Sequence, residues 1–246
     1  MMNKFVLILC VLLLISNLIV GQTVILNEKP IEYDLKMPTD GPNFNHFNHL
    51  YLSYNFIIPF GNKNEIETNF GQSYIFNLGW RYKYKIAEFF AIGTALNFYN
   101  VTYNLAQNEN KKVPNDILHK KEKIKFNNLG TEFFMRFNFG KRGNVIGRFI
   151  DLSSYVNYAI SVKHLYQDPI DSNNNQYMAG VINVTLSDLS YVERLNYGVR
   201  ARIGFNRWVI TSSYRLSNLL KDTYLDETGD FEFPRFSLGF EIGLHK

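Results

Sequence analysis

The sequence predicts an all-β protein: an eight-stranded antiparallel up-and-down barrel that crosses a membrane with its strands. Three observations lead there. Apolar and polar residues alternate with period two along eight segments, and short and long connections alternate between those segments. The chain is also 16% aromatic (21 Phe, 16 Tyr, 2 Trp), while mean hydropathy is slightly negative at −0.17 and only 20% of residues are charged. A bundle of apolar helices would need a positive mean, and a disordered chain would lack the rings. A single cysteine excludes a disulfide scaffold. A net charge of +4 is too small to point to a nucleic-acid partner.

The first element is a targeting segment. Lys4 precedes the apolar run Phe5 to Val20, which ends at Gly21. A basic start, a short greasy stretch and a small residue read as a secretory signal peptide over residues 1–21. Cys10 lies mid-run without the small residues that a lipoprotein signal places before its cysteine. Residues 22–43 contain three prolines and no sustained period, and read as an extended periplasmic leader; the barrel is then 44–246.

Each barrel strand is justified by its alternation. The first presents Leu50, Leu52, Tyr54, Phe56 and Ile58 on one face. The second, Tyr74 to Ile86, is the clearest: Tyr74, Phe76, Leu78, Trp80, Tyr82, Tyr84 and Ile86 oppose Ile75, Asn77, Gly79, Arg81, Lys83 and Lys85. The third carries Phe90, Ile92, Thr94, Leu96 and Phe98. After Asn100 its apolar parity switches to Val101, Tyr103 and Leu105, which predicts a β-bulge. The fourth carries Leu129, Thr131, Phe133, Met135, Phe137 and Phe139, and the fifth Ile150, Leu152, Val156, Tyr158, Ile160 and Val162. The sixth has Leu195, Tyr197, Val199, Ala201, Ile203 and Phe205. The seventh has Trp208, Ile210, Tyr214 and Leu216, and the last Phe236, Leu238, Phe240, Ile242 and Leu244.

Short turns fall at Ala87-Glu88, at Gly140 to Asn144 and at Asn206-Arg207, and long polar loops at about 59–69, 106–122, 166–180 and 218–232. That order places all tight turns at one end. In outer-membrane barrels this end is periplasmic, and an even strand count puts both termini there too, with the long loops extracellular.

Alternation alone does not say which face is inside, and a soluble lipocalin-like binder is the rival. Side-chain size separates the two. The polar face is rich in Gly, Ser, Ala and Asn, which suits a lumen only wide enough for side chains. The apolar face carries bulky rings and branched aliphatics on every strand, as a lipid-facing band does. Ring clusters at Trp80, Tyr82 and Tyr84, at Phe137 and Phe139, and at Phe205 and Trp208 read as a membrane-interface girdle.

On this pattern the chain resembles small outer-membrane β-barrels. It is similar to the OmpX and OmpA-barrel group and, in its Asn/Lys/Ile/Tyr-rich style, to the PorT-like barrels of Bacteroidota. The resemblance covers about residues 44–246 and implies a bacterial outer-membrane location. One departure is the end Leu244-His245-Lys246 in place of a terminal aromatic residue; Phe240 is the nearest candidate for that role.

Inner-face charges include Arg81, Glu132, Arg136, Asp151, Arg200, Arg202, Arg215 and Glu241, together with Lys83 and Arg194. Buried charges are tolerated when paired, so an ion-pair network filling the lumen is expected. A narrow anion path lined by surplus Arg is the functional alternative. None of the five histidines has a serine two residues away, and no Asp-Asp or suitable His-Asp pair appears in the spacing. The expected protein is therefore non-enzymatic, with no cofactor and no metal. His46, His49 and Asp40 read as polar residues leading into the first strand, and Asp168 to Asn175 is a weak Ca²⁺ pattern. The basic stretch Asn108 to Lys125 would face lipopolysaccharide phosphates. Expected partners are outer-membrane lipid, lipopolysaccharide and proteins of an envelope complex (secretion or barrel-insertion machinery). The alternatives are a free-standing surface or adhesion barrel, a lipid-modifying enzyme and the exported binder.

Overall fold

The computed structural model describes residues 40–61, 64–109, 111–140, 143, 145–169, 180–221, 224 and 231–245. The signal-peptide segment, nearly all of the leader, part of the Gly140 to Asn144 turn and the Asp171 to Asn175 stretch lie outside these residues.

Among the described residues there are nine strands: β1 (His46–Ile58), β2 (Tyr74–Lys85), β3 (Phe90–Asn104), β4 (Lys121–Phe139), β5 (Arg148–Pro169), β6 (Val181–Ser187), β7 (Leu195–Phe205), β8 (Trp208–Arg215) and β9 (Phe236–Leu244). Every pairing is antiparallel. Sequential neighbours run from β4 back to β1, then through β9, β8 and β7 to β5, and a β4–β5 pairing closes the sheet on itself. Both β7 and β6 pair with β5, β7 along Arg148–Tyr158 and β6 along Lys163–Pro169. They are two parts of one interrupted stave, so the closed barrel has eight.

The register fixes its size. Starting from Asn48, direct partners run through Tyr82, Thr94, Phe133, Ser154, Val199, Tyr214 and Phe236, and return to β1 at Ile58. The circuit ends ten residues further along the strand than it began. Eight staves with that stagger tilt by about 40° and leave an interior that side chains alone can fill. Outward residues on β4 are apolar from Phe139 to Leu129 except for Thr131. Ten residue steps at about 3.3 Å, tilted by about 40°, make a band about 25 Å tall, the height of a bilayer-facing girdle. This is the architecture of small outer-membrane β-barrels.

Two tight turns follow the sequence reading. Phe90 N–H donates to Ala87 O at 3.2 Å, and Asn206 closes the β7–β8 turn at φ 54°, a left-handed conformation that asparagine tolerates. Two features do not follow it. The third strand has no bulge at Asn100: its register with β2 and β4 is unbroken, and Val101 and Tyr103 continue the inward series Ala91, Ala95, Asn97 and Tyr99. The parity switch marks a change of surroundings. The bulge lies in β5, where Asn127 pairs with Ser161 but Asn128 pairs with Ala159, leaving Ile160 as the extra residue. Val162, expected on the lipid face, is turned inward by that insertion and is buried.

Two of the long loops, between β3 and β4 and between β5 and β6, are also shorter than expected. β4 begins at Lys121, β5 runs on to Pro169, and β6 occupies 181–187, so a four-stranded sheet of β3 to β6 rises above the apolar band.

Candidate functional site: the lumen and its cap

Inside the membrane-spanning section the side chains form an ionic network. Arg136 donates through Nε and Nη2 to the two oxygens of Asp151 at 2.7 and 2.8 Å. Arg202 Nε donates to Asp151 Oδ2 at 3.2 Å, and its Nη2 lies 2.6 Å from Glu132 Oε1. Arg200 Nη1 donates to Glu132 Oε2 at 2.5 Å. Arg136, Asp151 and Arg202 are direct cross-strand partners on β4, β5 and β7, which is why they meet. Arg81 on β2 reaches across β1 to grip Glu241 on β9 with two bonds of 2.6 and 3.0 Å. All seven groups are buried, and the guanidinium fork suits such sites because one side chain serves two carboxylate oxygens.

Rings complete the packing. Arg81 stacks 4.1 Å over Tyr51, and Arg136 lies 3.7 Å over Phe149. Those rings lie flat against the wall because the residues beneath them are glycines. A Cβ on Gly79 would sit 2.5 Å from the Tyr51 ring, and one on Gly204 would sit 2.2 Å from Phe149.

Arg215 is not part of this network. It lies higher, 3.2 Å from Glu232, and donates to the carbonyls of Ser217 and Phe233 at 2.5 and 2.9 Å. Glu232 in turn accepts the N–H of Leu219 and of Phe233, so the pair clamps the last loop onto the barrel mouth. Lys83 sits at the other end and donates to Pro42 O at 2.6 Å. Arg194 is outside the lumen, at 3.1 Å from Asp188 on the surface.

Above the charges lies a belt of asparagines. Asn157 Nδ2 donates to Asn196 Oδ1, Asn196 Nδ2 to Asn128 Oδ1, and Asn128 Nδ2 to Tyr99 O. A cavity of about 30 Å³ beside Tyr155, Asn196, Ser213 and Arg215 has the size of one water. Higher still the interior becomes apolar. Ile57, Ile75, Val101, Tyr103, Ile124, Phe126 and Val162 on the strands pack with Ile66, Val113, Val192, Leu219, Leu220 and Phe233 from the loops. The lumen is thus polar only within the membrane-spanning section, contrary to the uniformly polar interior that alternation suggests.

A second polar cluster tops this cap. His164 Nε2 and Glu122 Oε1 are 2.7 Å apart, and Lys111 Nζ and Gln107 Nε2 contact Glu122 Oε2 at 2.7 and 2.8 Å. Burial raises the Glu122 carboxyl, but the hydrogen bonds from His164, Lys111 and Gln107 outweigh it and hold the group below its ordinary value. His119 Nδ1 lies 2.7 Å from Asp168 Oδ2, and its ring stacks on Tyr166 at 4.2 Å. That hydrogen bond holds the Asp168 carboxyl below its ordinary range. Sequence spacing hides these histidine–acid pairs, because the partners are 49 and 42 residues apart. His119 Nε2 is buried and faces no open space, which suits a clasp between the β3–β4 loop and the β5 extension.

His46 and His49 point to opposite faces of β1, His46 toward the Tyr82 hydroxyl at 2.7 Å and His49 into the lumen. Among the described residues no group of three potential metal ligands is present. Of the interface aromatics, Tyr84, Phe139, Phe205 and Trp208 are exposed near the ends of their strands, with Tyr82 and Phe137 beside them. Trp80 is exposed as well but sits five residues up β2 from Lys85, within the apolar band. Sequence reasoning missed a girdle at the opposite rim: Tyr54, Tyr158, Tyr197 and Tyr214 face outward, and Tyr54 stacks on Tyr74 at 5.4 Å.

No family model matches the chain, and no curated protein does. Among solved structures it is similar to the NMR solution structure of the E. coli Outer Membrane Protein W, at 12% identity and a TM-score of 0.34, over 85% of this chain and 100% of that one.

Proposed function

We propose that this chain resides in the bacterial outer membrane, with both termini periplasmic, as a non-enzymatic interaction subunit of an envelope assembly. The observation that carries this reading is β6. Its sequence, VINVTLS, has no charge and no proline, and Val181, Ile182 and Leu186 are exposed. It pairs with β5 on one side, and among the described residues nothing pairs with its other edge. Natural sheets guard such edges with lysine, proline or bulges, and an unguarded one accepts an extended segment of a partner. The filled lumen supports a scaffold over a pore, since Arg81, Arg136, Arg200 and Arg202 are each held by carboxylates.

Purification in mild detergent followed by mass spectrometry tests the reading. A partner should accompany the wild type and be lost from the variant Ile182→Lys/Val184→Lys. Recovery of the barrel alone from both would overturn it in favour of a free-standing surface barrel. Membrane residence is tested separately: an unheated sample should migrate differently from a boiled one on a gel, and planar bilayers should show no steady anion-selective conductance.

A further inference from the structure

The basic stretch Asn108 to Lys125 does not act as one unit. Lys111 turns inward to Glu122, and Lys112 covers the Phe231 ring. Lys121, Lys123 and Lys125 point the other way. They share the outward face of β4 with Leu129 and Phe133, and alternate with the inward Glu122, Ile124 and Phe126. On β5 the bulge at Ile160 turns Lys163 to the same outward side, directly opposite Lys125.

Two like charges at a direct cross-strand position have Cβ atoms about 5 Å apart and destabilise the sheet. Among the described residues none of these four lysines has a carboxylate within salt-bridge distance, although most of the lumen arginines have one. The neighbouring outward positions, Thr102 and Asn104 on β3 and Thr185 and Ser187 on β6, are neutral.

Height completes the argument. Lys125 is four residues up β4 from Leu129, the last apolar outward residue, which is about 10 Å at this tilt. The headgroup layer adds about 5–8 Å beyond the hydrocarbon, and a lysine stem can lean down into it.

We propose that Lys123, Lys125 and Lys163 form a binding site for the phosphorylated headgroup of an outer-leaflet lipid. A phosphate lodged between Lys125 and Lys163 turns their repulsion into attraction, and Lys123 extends the site toward a second phosphate. The inference rests on the membrane-spanning reading and goes beyond it by naming a lipid chemistry and one side of the barrel.

The test uses the full barrel in neutral detergent micelles doped with diphosphoryl lipid A, followed by native mass spectrometry. Wild type should retain one lipid A molecule. The triple variant Lys123→Gln/Lys125→Gln/Lys163→Gln should bind about a hundredfold more weakly, at about a factor of five per lysine. Arg148→Gln, on the outward face at the opposite rim, should bind as wild type does. Equal retention by the triple variant, or equal loss in Arg148→Gln, would overturn the site. Displacement of lipid A by millimolar inorganic phosphate would mark a free-anion site and overturn the lipid assignment. Unchanged heat-dependent gel migration of the triple variant shows that it is folded; absence of that behaviour in the wild type would sink the membrane reading, and not this site alone.

Discussion

The two ends of the same strands obey opposite rules. Below Asn100 on β3 and Asn127 on β4, the barrel is polar inside and apolar outside; above them it is apolar inside and polar outside. The surroundings change from lipid to water at that level, and the interior inverts with them. Strands cross the boundary in two ways. On β3 and β4 the backbone continues and the sequence changes parity, from Phe98 to Val101 and from Leu129 to Phe126. On β5 the sequence keeps its parity and the backbone changes, because Ile160 is inserted where the solvent changes. An unbroken alternation can therefore hide a bulge, and a broken one can run along a regular strand.

The lower section depends on paired charges and the upper on buried apolar area, so they should break differently. The largest effect is expected from Glu132→Ala, which leaves Arg200 and Arg202 facing each other without their carboxylate. Removing one partner of a buried ionic cluster costs about 3–5 kcal/mol, read as a lowered urea midpoint for loss of the heat-resistant form. Glu241→Leu should be similar in kind, and Arg81→Leu combined with it should restore much of the loss, since the pair is removed whole. If the double variant is worse than either single one, the network is not what holds the lower section.

Insertion of an alanine between Ser161 and Val162 tests the boundary itself. The bulge at Ile160 absorbs one extra residue and not a second, so the segment from Val162 to Pro169 would turn over, putting Val162 and His164 outside and breaking the contact with Glu122. A loss of about 2–4 kcal/mol is expected in the upper section, from the removed packing and the stranded carboxylate. Protease should then cut the loops above the apolar band while the membrane section stays heat-modifiable. Simultaneous loss of both would show that the sections form one cooperative unit. A smaller effect is expected from charge on the outer wall. Leu152→Arg, near mid-height on the lipid face, should cost about 2–4 kcal/mol, whereas Thr185→Arg on the outer face of β6 should stay within about 0.5 kcal/mol. Equal effects at the two positions would remove the distinction between a lipid-facing and a water-facing wall.

Much of the lower section was legible. A lipid-facing band needs mostly apolar residues at alternate positions of every stave, and each stave carries them, from Phe76 and Trp80 to Phe240, with only small polar residues such as Thr94, Thr131, Ser154 and Ser212 between. The inward arginines and acids were legible as a set, because charges at inward positions of a narrow barrel have nowhere else to go. Their partners were not: Arg81 meets Glu241 across an intervening strand, and Arg215 meets Glu232, a loop residue outside the alternation. The upper section was harder to read for a physical reason. It follows the ordinary rule of a water-soluble sheet, so Val101, Tyr103 and Phe126 alternate on the face that a single membrane rule calls wrong. Much of its core also comes from loop residues such as Ile66, Val113 and Leu220, which have no period at all.

Acid should separate the sections by the smallest margin, and the sign can be worked out from the cap. Glu122 and Asp168 have ordinary values of 4.5 and 3.8, and both are lower in the folded protein, Glu122 through His164, Lys111 and Gln107 against the opposing effect of burial, Asp168 through His119. A carboxyl with a depressed folded value contributes stability that is complete above its unfolded value and is lost as pH falls through the folded one. Acidification from about pH 6 to about pH 3 should therefore loosen the clasp that ties residues 107–120 to β4 and β5, while the Ile124, Phe126 and Phe233 packing beneath, which does not titrate, persists. Amide hydrogen exchange, corrected for its intrinsic pH dependence, should show protection falling at Lys111 to His119 before it falls at Thr131 to Met135. Glu122→Gln should abolish most of that difference, since a neutral amide keeps a hydrogen bond to Lys111 but loses the charge. Parallel loss of protection at both segments would mean that the clasp contributes nothing of its own and that the cap is held by its apolar packing alone.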